Sequence, residues 1–532
     1  MRQPRSLSLY HPRMMPSQSA TEQKPLQRDR KQLELEALAE RCAALRAEGK
    51  KIVLCHGVFD LLHIGHIRHL EQAKALGDAL VVTVTPDRFV NKGPHRPVFS
   101  EQLRVEAIAA LDCVDHVAVN RWPMAIETLR LLRPDIYVKG PDYKDAKADL
   151  TGGIALEESA VKEVGGRLVV TDDVAFSASH LINRYLPVFP PEVIDFLAGF
   201  SSRHAAGDLF RYLDAARGLK VLVVGEAIID DYQYCEQMGK SAKEPVLVAR
   251  YLSSEKFAGG SVAIANHLAN FCGRVGLLTS LGERDSQEAF VREQLNSRAE
   301  PMFVYKAGSP TIVKKRFFES YLSQKLFEIY EINETIDPRQ SQALCAALEQ
   351  ALPRYDVVIA ADYGHGMLFG DAIELLCARA AFLAVNTQAN AGNRGMNTIS
   401  KYRRADYVSL ARHEIVLEER NQPIDLEGMI LSVSKKLSCP RVLVTCGKDG
   451  NVGYHPDEGF VRTPAFATRV VDRMGAGDAV LSLTALLAAQ HAPMELMAFL
   501  GNIVGAQAVA TVGHRSSIER TPLLKHIESL LK

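Results

Sequence analysis

Net charge is what this 532-residue chain lacks: its 63 Lys+Arg are cancelled by 63 Asp+Glu. That balance argues against a nucleic-acid binder working through a broad basic surface, which needs uncompensated cations to displace counterions. It argues equally against a polybasic membrane anchor. Long apolar runs are missing as well. The best, Ala479–Ala489, is interrupted by Ser482 and Thr484 and falls short of the ~18–20 residues of a membrane span. The N-terminal region has no secretory hydrophobic segment. The nine cysteines, Cys42, Cys55, Cys113, Cys235, Cys272, Cys345, Cys377, Cys439 and Cys446, include no C-x-x-C pair. Their scatter through apolar stretches fits reduced thiols of a cytoplasmic protein and excludes a disulfide framework or a zinc site. No acidic cluster has metal-cage spacing, so no residue is assigned as a metal ligand. Aromatics are few, and the single tryptophan, Trp122, precedes Pro123 at an expected helix start, where packing explains it. What these absences leave is small-molecule chemistry, with charge concentrated in local sites.

The length allows two to four domains. Residues 1–31, rich in Arg, Ser, Gln and Pro and poor in acids, read as a disordered basic tail with a faint likeness to a transit peptide. Helical periodicity over Gln32–Ala47 then gives way to alternating elements. Strands are expected at Lys51–Cys55, Ala79–Thr85, Val117–Val119 and Asp135–Val138, and helices at Ile67–Ala75, Glu101–Ala110 and Met124–Leu132. The prolines of Pro187-Val-Phe-Pro-Pro-Glu192 mark a boundary, because proline stops helices and withholds a ladder donor. A helical linker, 187–217, is expected to lead into a second alternation that begins with the strand Leu219–Val224. Further strands are expected at Val357–Ala361, Phe382–Val385 and Arg441–Thr445. The fold class is therefore α/β, two doubly wound domains in series over 32–186 and 218–532.

The first strand runs into His56-Gly57-Val58-Phe59-Asp60-Leu61-Leu62-His63-Ile64-Gly65-His66. A strand, a glycine turn and a helix opening with His63 and His66 place both imidazoles on one face near the helix N-terminus. Helix-end N–H groups and the macrodipole favour an anion there, and Gly65 leaves room for a phosphate to approach the backbone. These residues resemble the H-x-G-H signature of the nucleotidyltransferases that include cytidylyltransferases and phosphosugar adenylyltransferases. Lys92-Gly93-Pro94-His95-Arg96-Pro97 is similar to that family's K-G-x-x-R-P loop, with Arg104 at the following basic helix position. Val138-Lys139-Gly140-Pro141-Asp142-Tyr143 is similar to its V-K-G-x-D-Y segment. Ser177-Ala178-Ser179 stands where the family has S-T-T, with alanine in place of one hydroxyl. The resemblance implies attack of a phosphate monoester on the α-phosphorus of a nucleoside triphosphate, with pyrophosphate leaving. It implies His63, His66 and Lys92 as catalytic residues, and Gly57, Phe59, Asp60, Gly65, Arg96, Lys139, Asp142, Ser177 and Ser179 on the nucleotide.

A second glycine turn, Val471-Asp472-Arg473-Met474-Gly475-Ala476-Gly477-Asp478-Ala479, enters an apolar helix. Such a turn offers backbone N–H groups to an anion beside an aspartate that can take a hydroxyl proton. Ala258-Gly259-Gly260-Ser261 with Asn266 opens an alanine-rich helix. Asp230 ends a strand, and Thr445-Cys446-Gly447-Lys448-Asp449-Gly450 is another strand-to-glycine turn. Together with Glu244-Pro245-Val246, Lys314–Arg316 and Ala361-Asp362-Tyr363-Gly364-His365-Gly366, these resemble the ribokinase-like (PfkB) carbohydrate kinases. The greatest likeness is to the kinase half of the bifunctional heptose-phosphate kinase/adenylyltransferases, with the order of domains reversed here. The resemblance implies Asp478 as general base, Gly475, Ala476 and Gly477 as the anion hole, Thr445, Gly447 and Gly450 on the nucleotide, and Asp230, Gly259, Gly260 and Asn266 on the sugar. His365 either meets a substrate phosphate or is a loop histidine without that role.

Three stretches depart from the kinase pattern. Ala411-Arg412-His413-Glu414 replaces N-x-x-E, Arg473 replaces a threonine, and the Asn386–Asn393 stretch replaces a lysine-bearing segment with the amides of Asn386, Asn390 and Asn393. The combined expectation is a bifunctional enzyme that makes a nucleotide-activated sugar, ADP-heptose-like, from a sugar phosphate and an NTP. Mg²⁺ would arrive with the nucleotide, no nucleic acid or membrane partner is expected, and a homodimer is implied by the kinase resemblance. The alternative is a CTP-dependent cytidylyltransferase for another polyol or sugar phosphate, joined to a non-catalytic kinase-like module that senses a sugar or nucleotide.

Overall fold

A computed structural model describes residues 28–90, 96–140, 153–171, 189–320, 324–420 and 424–532. The chain divides into two compact units, residues 1–90 with 98–176, and residues 91–97 with 177–532. Most of the expected tail lies outside the described residues. So do Lys92, Asp142, Ser177 and Ser179.

The first unit is a five-stranded parallel sheet in the order β3-β2-β1-β4-β5. Its strands are β1 (Ile52–Gly57), β2 (Ala79–Val84), β3 (His116–Val119), β4 (Ile136–Lys139) and β5 (Arg167–Val170). Along β1, Ile52 and Leu54 join the core on one face, while Val53 and Cys55 join the core on the other. Burial on both faces is why this strand is a continuous apolar run instead of an alternating one. Helix α1 (Leu35–Ala47) precedes β1, and α2 (Ile64–Lys74), α3 (Glu101–Ala109), α4 (Ile126–Leu132) and α5 (Gly153–Glu163) lie between successive strands. Because β2 and β3 lie to one side of β1 and β4 and β5 to the other, the order reverses between β1 and β4. The carboxyl ends of those two strands, where such sheets take ligands, carry His56, Gly57 and Lys139.

The second unit holds a twelve-stranded mixed sheet. Its spine is β6 (Lys220–Lys240), far longer than the expected Leu219–Val224. The first part of β6 pairs in parallel with β8 (Arg274–Arg284) and β12 (Val357–Asp362), and β8 pairs in turn with β9 (Ala299–Pro310). There Val221 and Val223 face one core, and Leu222 and Val224 face the other. The outer part pairs with β7 (Leu247–Gly260) and β10 (Ile312–Glu319), and β11 (Gln324–Glu331) pairs with β10. The charged residues Glu226, Asp230 and Asp231 concealed this continuation, since they do not read as part of a core strand. The main sheet continues in parallel through β13 (Leu383–Thr387), β14 (Tyr407–Ala411) and β15 (Arg441–Thr445). It ends with antiparallel β16 (Asn451–His455) and β17 (Gly459–Thr463). The α/β class holds for both units, with antiparallel strands added to the second.

The expected linker is corrected in the described part, 189–217. It forms helices Pro191–Ser201 and Ala206–Ala215, and Val193, Phe200, Leu209, Phe210 and Leu213 are buried in the core of the second unit. The prolines mark a helix start: Pro190 is the N-cap and Pro191 the first helical residue, a position that needs no N–H donor. The Phe200 ring stacks on Phe499 with centroids 4.0 Å apart. Among the described residues no helix is long and apolar enough to cross a membrane, and all nine cysteines are free thiols. Phe200→Ala is expected to destabilise the second unit by about 3–5 kcal/mol, measured as a lowered urea midpoint. A residue in a true linker would shift it by less than ~0.5 kcal/mol.

Candidate functional site

In the first unit, β1 ends at Gly57 and the chain turns through Phe59, whose φ of 50° lies in the left-handed region. A Cβ on Gly57 would stand 3.1 Å from the Phe59 ring, so the glycine is what lets this ring fold back. Phe59 then meets His66 edge-on, with centroids 5.4 Å apart, and His66 lies 3.9 Å from His63. The structure thus brings Gly57, Phe59, His63, Gly65 and His66 together at the head of α2. His63 is also the N-cap of α2, its Nδ1 accepting the Gly65 N–H at 3.1 Å. An acceptor Nδ1 requires the proton of the neutral ring to sit on Nε2, and burial lowers the pKa of His63 in the same sense.

Asp60 has a supporting position. Its Oδ1 accepts the N–H groups of Val98 at 2.5 Å and Phe99 at 3.3 Å, anchoring the chain after the K-G-x-x-R-P segment. Arg104 is almost fully buried and donates to the carbonyls of Phe99, Val58 and Thr85 and to Asp87 Oδ1. It therefore ties loops together and does not offer a free cation. Lys139 is buried against Glu157, with Nζ 2.9 Å from Oε2, and Tyr137 donates to the same oxygen at 2.8 Å. Burial pushes the Glu157 carboxyl up, but the Lys139 charge and its hydrogen bonds leave it below the usual range. Glu157 and Tyr137 escaped the sequence reading because a buried counter-ion on another element leaves no local motif. Arg96 is partly buried and belongs to the second unit.

In the second unit, Gly475 adopts φ 74° as the N-cap of helix Ala476–Ala489. Asp478, in the first turn, is buried, and its Oδ1 accepts the Tyr363 hydroxyl at 2.8 Å. Burial raises the Asp478 pKa, against the opposing pull of His514 and the Tyr363 hydrogen bond. A Cβ at Gly477 would meet nothing within 4 Å, so the helix head is open beside the aspartate, where orphan N–H groups can receive an anion. Asp230 Oδ1 accepts from Arg316 Nε at 3.1 Å and Nη2 at 2.7 Å, and its Oδ2 lies 3.6 Å from His514 Nε2. Gly259 packs against that carboxylate: a Cβ there would lie 2.4 Å from Asp230 Oδ2. Gly260, at φ 61°, lets the end of β7 approach the Glu226 carbonyl.

Other expected residues have different partners. Asn266 spends both ends of its amide on backbone, donating to Gln294 O at 2.9 Å and accepting from Asn296 N at 2.7 Å. These two bonds hold the 294–296 loop. Gly450 is a hairpin glycine, since a Cβ there would lie 1.9 Å from the Thr463 carbonyl. Gly447, at φ 61°, faces open space, and Thr445 donates to Leu410 O at 3.5 Å. The amides of the altered segment also bond backbone. Asn390 and Asn393 donate to Tyr363 O at 2.9 and 2.8 Å, and Asn386 donates to Ser409 O at 2.7 Å. His365 is buried with Nδ1 3.0 Å from Glu334, and burial with the charges of Lys314 and Lys306 lowers its pKa to about 3. It is a neutral loop support.

Glu414 survives from the altered N-x-x-E segment. It accepts the N–H groups of Ala411 at 2.7 Å and Ala389 at 3.3 Å, and burial raises its pKa to about 7. Among the described residues no group of three or more His, Cys, Asp or Glu is placed to hold a metal ion. The donor set at the helix head, Asp478 with Glu414 in electrostatic reach, suits an ion whose remaining ligands are phosphate and water.

The cytidylyltransferase-like family model matches residues 54–182, and the model of the pfkB family of carbohydrate kinases matches 219–521. The bifunctional protein HldE of Syntrophotalea carbinolica is 39% identical over 154 residues, 28% of this chain and 30% of that protein. HldE of Desulfatibacillum aliphaticivorans is 42% identical over 143 residues, 26% and 28% of the respective chains. These alignments span under a third of the length of the curated relatives, and the order of the two domains here is the reverse of theirs. The crystal structure of phosphofructokinase-2 from Escherichia coli in complex with substrates and products superposes with a TM-score of 0.49 at 14% identity. That superposition covers 59% of this chain and 100% of the other.

The raised pKa of Glu414 has a consequence for stability. The folded chain keeps a proton there that the unfolded chain loses above its ordinary pKa of 4.5. The stabilisation is full below that value and is lost as the pH rises through about 7. Replacing Glu414 with Gln is expected to flatten this part of the stability–pH curve, as followed by urea unfolding of the second unit.

Proposed function

The chain belongs to the pfkB family of carbohydrate kinases, and from that premise we propose that it makes a nucleotide-activated sugar in two steps. A nucleotidyltransferase domain stands ahead of the kinase domain. In our reading the kinase phosphorylates a sugar or sugar phosphate from ATP, and the transferase joins a sugar phosphate to a nucleotide. An ADP-heptose-like product is proposed because the Lys92–Pro97 and Val138–Tyr143 segments resemble the phosphosugar adenylyltransferases and because the HldE alignments are partial relatives.

The observation that carries the kinase reading is Asp478 at the open head of its helix, with Oδ1 held by Tyr363. Oδ2 is then directed to other work. The acceptor hydroxyl oxygen forms its bond to the γ-phosphorus while the bond to the bridging oxygen of ADP breaks, and the acceptor proton passes to Asp478. The N–H groups at Gly475, Ala476 and Gly477 receive the phosphoryl charge, and Asp230 with Gly259 and Gly260 borders the acceptor. Mg²⁺ bound with the nucleotide would neutralise phosphate charge, with Asp478 and Glu414 as the nearby carboxylates. Thr445, Gly447 and Gly450 are proposed on the nucleotide side, Gly450 through the shape it gives the turn.

For the transferase, the acceptor phosphate oxygen bonds to the α-phosphorus and pyrophosphate departs. The chain needs no nucleophile of its own, since positioning and charge stabilisation suffice. His63 and His66 are proposed on the triphosphate, with His63 donating from Nε2. Lys92 is proposed on the attacking phosphate or leaving group. The nucleotide contacts are assigned to Gly57, Phe59, Gly65, Arg96, Lys139, Asp142, Ser177 and Ser179, with Asp60 as a loop anchor. The second reading, a CTP-dependent transferase beside a sensing module, draws its support from the Asn386–Asn393 amides, which are spent on backbone bonds.

Purified protein given ATP, CTP and a panel of heptose, hexose and polyol phosphates tests both steps. His66→Ala is expected to lower pyrophosphate release by about 10²–10³-fold while ADP release continues. Asp478→Asn is expected to abolish sugar-dependent ADP release while pyrophosphate release continues. Sugar-dependent ADP release that persists in Asp478→Asn would overturn the assigned base. Mass spectrometry of the products identifies the sugar and the base.

A further inference from the structure

His514 was not singled out by any motif, yet the fold plants it between the two halves of the kinase site. Its side chain is 7% exposed. On one side Nε2 is 3.6 Å from Asp230 Oδ2. A Cβ added at Gly259 would come within 3.1 Å of Cδ2 and 3.2 Å of Nε2. On the other side the Nδ1–Cε1–Nε2 edge meets the phosphoryl-holding turn, since a Cβ at Gly475 would lie 2.2 Å from Cε1 and 2.7 Å from Nδ1. Two glycines, one in each motif, therefore leave the volume that this ring fills.

The flanks hold the ring in place. Gly513 N–H donates to Asp472 Oδ2 at 3.1 Å, and that oxygen also accepts the Tyr232 hydroxyl at 2.5 Å. A Cβ on Gly513, where φ is 50°, would press on the Phe257 ring at 3.0 Å. Arg515 grips Glu255 on β7 with two bonds, at 3.0 and 2.5 Å. The 513–515 segment is thus fixed to the β6–β7 hairpin and to the residues just ahead of Gly475. Asp230 pushes the Asp478 carboxyl up, and His514 acts on it in the opposite sense.

We propose that His514 is a further catalytic residue of the kinase, donating an N–H to a non-bridging oxygen of the phosphoryl group in transit while its Nε2 side borders Asp230. The proposal rests on the kinase reading given above. His514 contributes a hydrogen bond and transfers no proton: the acceptor oxygen–phosphorus bond forms, the bond to the ADP oxygen breaks, and the acceptor proton goes to Asp478. A donor fixed before the reaction and aimed at developing charge costs no reorganisation when the phosphoryl moves.

The test compares full-length wild type, His514→Ala and His514→Asn by ADP release, with ATP and heptose 7-phosphate, fructose 6-phosphate and a polyol phosphate as probes. His514→Ala is expected to lower kcat by about 10²–10³-fold, the typical cost of one such donor. KM for ATP should stay near wild type. Added imidazole is expected to restore activity to His514→Ala, and the amide of His514→Asn to retain part of it. A wild-type kcat in His514→Ala overturns the proposal. So does a loss of activity that imidazole does not restore and that a lowered thermal midpoint accompanies, because packing then explains the residue. Absence of ADP release from the wild type with every probe defeats the kinase reading itself, a result distinct from the other two.

Discussion

The second unit depends on a buried charge that must never lose its partner. Asp230, on the outer part of β6, is 3% exposed and takes two hydrogen bonds from Arg316, which in turn holds Glu328. Removing a carboxylate from water costs several kcal/mol unless geometry and hydrogen bonds compensate. This pairing therefore fixes β10 beside β6, aligns the hairpin with the main sheet, and sets where the second carboxylate oxygen can point. Arg316 occupies Oδ1, so Oδ2 is turned toward Gly259 and His514.

The same constraint shapes the first unit. Lys139 stands at the carboxyl end of β4, almost out of water, and Glu157 and Tyr137 complete it. Arg104 is satisfied by three backbone carbonyls and Asp87. Both cations resemble phosphate ligands by motif, but their bonds show them first holding loops and strands in register. In each unit the polar groups at the carboxyl edge of a dry parallel sheet are oriented by neighbours before any ligand arrives, which is the preorganisation that phosphoryl and nucleotidyl transfer require.

Strand positions in the first unit were readable because β1, β2 and β4 are apolar on both faces and bounded by turns. In the second unit Arg441–Thr445 was readable for the same reason. β6 was not, since its outer part carries Glu226, Asp230 and Asp231, whose burial is tolerated only through partners supplied by other elements. The 187–217 segment was read as a linker because proline is a boundary signal in sequence. In the fold, Pro191 opens a helix whose Phe200 is stacked on Phe499, a contact across roughly three hundred residues that no local pattern contains.

Sequence by itself determined the alternation of strands and helices, the spacing that puts His63 and His66 at one helix head, and the glycine turn that presents Asp478. These are properties of neighbouring residues, and the periods of helix and strand carry them. Tertiary structure decided which partners complete each group. Tyr363 reaches Asp478 across 115 residues, Glu157 reaches Lys139 from another element, and Asn266 bonds the 294–296 loop. It also decided that His514 fills the gap between Gly259 and Gly475. Such pairings follow from how dry elements pack and from the cost of leaving a buried polar group unmatched. They are set by distance in space, which a linear pattern does not record.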